Sequence, residues 1–175
     1  MDDVSQAPQG TTAESLDYAT KTHEYIKHLN YLTDQRANYL IVTSSILLAA
    51  LLSLGMNHAK YALGSFDYWA FALMLGSIIV SILMSVRAIL PKTFDADSPL
   101  HTSAIAKMTL DEYLGTGERV TARDSLRFIL RENYVVSRIV EYKGKLVRRS
   151  ASSLYFGISI GVLYWIVKSI IGAYH

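Results

Sequence analysis

Residues 37–59, ANYLIVTSSILLAALLSLGMNHA, run for 23 positions without a charged side chain. At 1.5 Å per residue a helix of that length reaches about 34 Å, enough for a hydrocarbon core of about 30 Å. The pattern recurs twice. Residues 68–86, YWAFALMLGSIIVSILMSV, give 19 charge-free positions, and residues 150–167 give 18 before Lys168 and the apolar tail SIIGAYH. Lys168 lies near enough to the helix end to snorkel to a headgroup. A soluble bundle of three buried helices is the alternative, but runs of this length favour membrane spans.

Composition agrees. Of the 175 residues, 51% are hydrophobic and 18% charged, against about 25% charged in ordinary soluble domains. The net charge of +2 argues against disorder and against binding nucleic acid through bulk charge. There is no cysteine, so there is no thiolate metal site, disulfide framework or cysteine nucleophile. The first 36 residues hold six acids and three Lys/Arg with no short apolar core before a cleavage site, so the first span is expected to be retained rather than cleaved.

Lys and Arg counts set the expected orientation. Residues 1–36 carry Lys21, Lys27 and Arg36, the 57–67 loop carries Lys60, the 87–149 segment carries twelve, and the last seven residues carry none. The N-terminus and the long segment are therefore expected to be cytoplasmic, with the short loop and the C-terminus external. Tyr39, Tyr68, Trp69, Tyr164 and Trp165 stand where interfacial aromatics belong. The expected organisation is a cytoplasmic tail and amphipathic helix (1–36), a span (37–59), an external loop (60–67), a span (68–90), a cytoplasmic helical module (91–149), a span (150–168) and an external tail (169–175). The fold class is an all-α membrane protein with three transmembrane helices and a cytoplasmic helical module.

In the cytoplasmic parts, residues 1–12 read as disordered. From Ala13, Tyr18, Tyr25, Leu29 and Leu32 suggest an amphipathic helix with nothing to stop it before Arg36. Pro91 is expected to end the second span, and PKTFDADSPLHTS to form a loop. Thr109 and Glu112 fit a capping box for a short helix closed by Gly115 and Gly117. A long helix is expected from Thr121 into the third span. Its residues Leu126, Ile129, Asn133, Val136, Val140, Lys143 and Val147 alternate three and four apart, interrupted by polar members. Phe128, Val135, Ile139, Tyr142 and Leu146 form a second stripe, so the helix should touch more than one neighbour: the N-terminal helix, the short helix or another subunit.

Projected at 100° per residue, Arg123, Arg127, Arg131, Arg138, Lys145 and Arg149 fall within about 80°. Like charges four apart repel, so something should offset them. Asp124, Glu132 and Glu141 offer partial partners on a solvated face. Lys145, Arg148 and Arg149 suit anionic headgroups at the membrane interface. The distal arginines suit an anionic ligand, because planar guanidinium matches phosphate.

Catalysis has little support. The histidines, His23, His28, His58, His101 and His175, include no pair four apart and no HExxH motif, and no GxSxG, P-loop or dinucleotide fingerprint occurs. No ionisable residue lies at a span centre, which argues against an ion-coupled carrier. No catalytic residue, metal site or cofactor is expected. Packing signals are plain: Ser153, Gly157 and Gly161 repeat every four residues, as do Ser77, Ser81 and Ser85, while Thr43, Ser44, Ser45, Ala49 and Ser53 give the first span a small side. They suit packing within one chain or self-association as a homo-oligomer.

The segment Thr33-Asp34-Gln35-Arg36-Ala37-Asn38-Tyr39-Leu40 resembles the aDxKAxxLL opening of the transmembrane effectors of bacterial Pycsar antiphage defence, with Arg36 where that family often has Lys. The likeness continues at Arg87-Ala-Ile-Leu-Pro91-Lys92, at Met108-Thr-Leu-Asp-Glu112-Tyr113-Leu114, and from Tyr142-Lys143 through Leu146-Val-Arg148-Arg149-Ser150-Ala151, covering about residues 30–168 in order. The two-span SLATT-type effectors are a related group. The resemblance implies an inner-membrane effector, functionally linked to a pyrimidine cyclase, that senses cyclic CMP or cyclic UMP and impairs the membrane, causing growth arrest or abortive infection. On that implication the candidate nucleotide-binding residues are Arg123, Arg127 and Arg131, with Tyr113 or Tyr134 stacking on the base. The competing class is a structural or adaptor membrane protein whose cytoplasmic helices dock a protein partner without a ligand.

Overall fold

A computed structural model describes residues 10–57, 65–90 and 107–173. Among these the chain is helical throughout: α1 (Gly10–Asn57), α2 (Phe66–Ile89), α3 (Leu110–Arg119) and α4 (Ala122–Ala173). Helices α1, α2 and α4 are long and apolar enough to cross a membrane. Only 11%, 28% and 11% of their most apolar windows is buried inside the chain. Ile46, Leu83, Leu163 and Trp165 all point outward. Water would penalise such a surface by about 25 cal/mol per Å²; lipid does not. The soluble-bundle alternative fails on this point, and the chain is a multi-pass membrane protein.

The helix boundaries follow local chemistry. Helix α1 runs 48 residues without a break; it begins at Gly10 rather than Ala13 and passes Arg36 into the first span. Helix α2 starts at Phe66, two residues earlier than expected, because the Ser65 hydroxyl accepts from the Tyr68 amide at 3.2 Å and Asp67 complements the positive helix end. It closes with the Leu90 amide donating to the Val86 carbonyl at 3.1 Å. The proline stop at Pro91 and the loop after it lie outside the described residues, as do residues 1–9 and 58–64.

Helix α3 opens with the expected capping box. The Thr109 amide donates to Glu112 Oε2 at 2.8 Å, and the Glu112 amide returns a bond to Thr109 Oγ1 at 3.3 Å. The expected stop at Gly115 and Gly117 is corrected: α3 continues to Arg119. Glycine lowers helix stability by about 1 kcal/mol but does not forbid the conformation. The chain instead turns where Thr121 begins the next cap. The Thr121 hydroxyl donates to Asp124 Oδ2 at 2.6 Å and accepts from the Asp124 amide at 3.2 Å. Helix α4 then runs 52 residues.

The chain divides into two compact units. The polar unit takes residues 10–30 and 107–140 of the described chain. The span unit takes residues 31–57, 65–90 and 141–173. In the polar unit Ala19 and Ile26 are the buried residues of α1. This corrects the expected stripe, since Tyr18 and Tyr25 are exposed. The inward row is Ala19, His23, Ile26 and Asn30, alternating four and three. Apart from Ile26 its side chains are small or polar, so counting large apolar residues selects the adjacent tyrosines. In the span unit Ala37 of α1, Ala88 of α2 and Leu146 of α4 form a buried cluster, with Ile89, Tyr142 and Val147 packed against it.

Candidate functional site

The interior of the span unit is hydroxyl-rich. Ser44, Ser81, Ser85 and Ser150 are all fully buried, from three helices. Ser150 Oγ donates its one hydrogen to the Ser81 carbonyl at 2.8 Å. That fixes its neighbours. Ser81 Oγ at 2.9 Å and Ser85 Oγ at 2.7 Å must both donate to Ser150 Oγ. Ser81 has then spent its hydrogen, so Ser44 Oγ donates to Ser81 Oγ at 3.1 Å. Every hydroxyl is satisfied, as a hydrocarbon surrounding requires. Towards the other end of the spans Ser153 Oγ donates to the Ser77 carbonyl at 2.9 Å and Ser77 Oγ to the Leu73 carbonyl at 2.6 Å. A Cβ on Gly157 would lie 3.0 Å from Ser77 Cβ, and one on Gly161 3.1 Å from Met74 Sδ. The structure thus places Ser77, Ser81, Ser153, Gly157 and Gly161 between α2 and α4 of one chain. On the first span only Ser44 of the expected small side is buried; Thr43, Ser45, Ala49 and Ser53 are exposed, since one helical face alone meets the bundle.

Charge sits at both ends of this interior. Lys143 Nζ donates to Asp34 Oδ1 at 2.7 Å and Oδ2 at 3.0 Å, with the lysine side chain only 10% exposed. At the far end Lys168 Nζ reaches Asp67 at 2.8 Å, and it lies 5.9 Å from the centre of the Tyr164 ring. Lys168 is thus held by a carboxylate on a neighbouring helix. Between serines and far end lies an apolar cavity of about 360 Å³ lined by Leu47, Leu51, Met74, Gly157, Gly161 and Trp165, among others. Lys145 pairs with Glu141 at 2.7 Å, and Arg148 and Arg149 are exposed beside it.

The polar unit has its own buried node. Asn133 Nδ2 donates to the Ala19 carbonyl at 2.9 Å. Its amide oxygen is therefore the acceptor facing His23 Nδ1 at 2.8 Å, so Nδ1 carries the hydrogen. His23 Nε2 lies 4.0 Å from Glu132. Asn133 and Lys143, the two polar interruptions of the α4 stripe, are its buried polar members, each bonded to α1.

The arginine row is arranged differently. Arg123, Arg127 and Arg131 are exposed along the outside of α4, Tyr134 is exposed on the same helix, and Tyr113 is exposed on α3. No contact among these five is seen in the described residues. Asp124 touches the row electrostatically: the hydroxyl of Thr121, then its amide, hold the Asp124 carboxyl below its ordinary range, with Arg127 and Arg123 adding to the effect. Glu112 is likewise lowered, by the Thr109 amide and then its hydroxyl.

The model of the Pycsar effector protein domain matches residues 18–170 of the chain. The chain belongs to the Pycsar effector family. The match begins beside Ala19, takes in both units, and ends in the last turn of α4, so this Pycsar antiphage effector carries its family domain across nearly all of the described helices. Comparison with curated proteins and with solved structures gives no match.

His23, Asp34 and Asp67 make interhelix contacts that the sequence reading does not single out. The signal for the first two lies in register. Both Asn133 and Lys143 interrupt an apolar stripe at inward positions, and a buried polar group requires a partner. A search of α1 for groups at matching spacing offers His23 and Asp34.

Proposed function

We propose that this Pycsar effector senses cyclic CMP or cyclic UMP through its polar unit, on the cytoplasmic side of the inner membrane, and impairs that membrane to halt growth or abort infection. It does so without catalysing a reaction. The reading rests on one observation above the rest: two helices of 48 and 52 residues run unbroken from the polar unit into membrane-spanning segments. A ligand that favours one packing of α1 against α4 in the polar unit can bias the spans, provided it binds one state more tightly than the other. The orientation rests on the Lys and Arg asymmetry of the flanks. The singly charged phosphodiester would take one guanidinium group, from Arg123, Arg127 or Arg131, and the base a face of Tyr113 or Tyr134. A neighbouring pyrimidine cyclase would supply the nucleotide, with no nucleic acid involved.

Calorimetry of the detergent-solubilised protein tests the ligand. Binding of at least one of the two nucleotides is expected, lost in one or more of Arg123→Ala, Arg127→Ala and Arg131→Ala with membrane insertion intact. Normal binding in all three variants would move the site elsewhere. No binding to either nucleotide, with no dye entry into cells co-expressing a pyrimidine cyclase, would refute the effector mechanism.

A further inference from the structure

Helix α3 has an apolar face that nothing in the described chain covers. Leu110, Tyr113 and Leu114 share one side and are 71%, 45% and 53% exposed. Asp111, also exposed, borders that face, whereas Glu112 points away into its cap. Helix α4 has a second such face. At 100° per residue, Arg127, Leu130, Arg131 and Tyr134 fall within about 100° of arc, and Leu130 and Tyr134 are 46% and 66% exposed. Neither Arg127 nor Arg131 has an ion pair among the described residues. The two faces are complementary: an apolar trio edged by an acid, and an apolar pair bordered along one side by two bases.

We propose that these faces dock on each other between copies, α3 of one chain against residues 127–134 of α4 of the next. The occupant of each face is thus a second copy of this chain, chosen by the opposite sign of its border charges. Because the faces are unlike, each docked pair leaves one α3 face and one α4 face open. Such a heterologous interface propagates, closing as a ring where its rotation allows, and the membrane keeps every copy in one orientation. Docking also brings Tyr113 of one copy to Arg127, Arg131 and Tyr134 of the next. In one chain Tyr113 lies on α3 and the other three on α4, and a small ligand needs a concave site. The pairing stands whether or not a nucleotide binds.

The absence of cysteine makes the test clean. Tyr113→Cys and Tyr134→Cys are placed on differently tagged full-length copies, co-expressed in membranes and oxidised. A disulfide-linked band carrying both tags is expected, and one chain bearing both substitutions should give a ladder beyond the dimer. Asp111→Arg or Arg131→Asp should each reduce the band about tenfold, and the two together should restore it. No band with both tags, or one unchanged by either single charge reversal, overturns the proposal. A ladder that stops at the dimer overturns the head-to-tail arrangement. Cross-linking confined to the monomer shows the α3 face covered by its own chain, and also overturns it. Nucleotide calorimetry is read separately, so failure of the ligand reading and failure of this interface are distinguishable.

Discussion

Along α4 the inward row keeps one spacing and changes chemistry. From Leu126 to Val140 it is apolar except for Asn133; from Lys143 to Gly161 it includes an amine, a serine and two glycines. The outward face changes the other way, from the exposed Arg123, Arg127 and Arg131 to the exposed Leu163, Trp165 and Ile166. In water the helix gains by hiding apolar surface. In lipid that gain vanishes, and association rests on close backbone approach and hydrogen bonds. One helix therefore obeys two solvents, and its polar contacts should differ in worth between them.

The largest effect is expected from Asp34→Ala, which strips Lys143 of that carboxylate while its side chain stays only 10% exposed. Thermal unfolding in detergent should show a loss of about 3 kcal/mol, the range for breaking a buried pair from one side. Adding Lys143→Met should recover most of it. Asp17→Ala, which removes an exposed pair with Lys21, should change nothing resolvable. Equal effects of the two aspartate substitutions would remove the distinction between the interior and surface pairs.

Asn133→Ala should cost about 2 kcal/mol in the polar unit, because His23 Nδ1–H loses its acceptor in a buried seam. Hydrogen exchange of α1 near Ala19 to Ile26 should quicken. Ser150→Ala deprives Ser81 and Ser85 of their shared acceptor, yet should cost only about 1 kcal/mol, since hydroxyl bonds between spans are individually weak. If Ser150→Ala proved the more costly, hydrogen bonds in hydrocarbon would dominate the span unit.

The smallest effect is expected from acid. Glu112 and Asp124 have carboxyl groups held below their ordinary values of 4.5 and 3.8. Their contribution is fully present above those values and is lost as pH falls through the lower folded-state values. Circular dichroism should show the polar unit losing helix in that window while the spans keep theirs. Thr109→Val with Thr121→Val should weaken this pH dependence, more at Asp124, where the hydroxyl bond leads, than at Glu112, where the retained backbone amide does.

The spans are readily legible in the sequence, because charge-free runs of 18 to 23 residues rarely arise outside a membrane. The inward row of α4 is also legible from its spacing, and so is the Thr109 cap. The inward row of α1 is not. Ala19, His23 and Asn30 are small or polar, and the tyrosines beside them carry the larger apolar signal. The end of α3 is misleading because two glycines look like a stop, while the actual stop is the start of the next cap at Thr121. The arginine row is visible, but its relation to Tyr113 is not, since spacing along one helix carries no information about a residue on another.

The central claim, that a cytoplasmic nucleotide signal reaches the spans, is tested most directly by dye release from vesicles of anionic lipid holding the full-length protein. Addition of cyclic CMP or cyclic UMP should release the dye with one of the two, and Val140→Pro, which breaks α4 midway, should abolish release while calorimetric binding persists. Binding without release in the unsubstituted protein, or release that Val140→Pro leaves unchanged, would contradict the account.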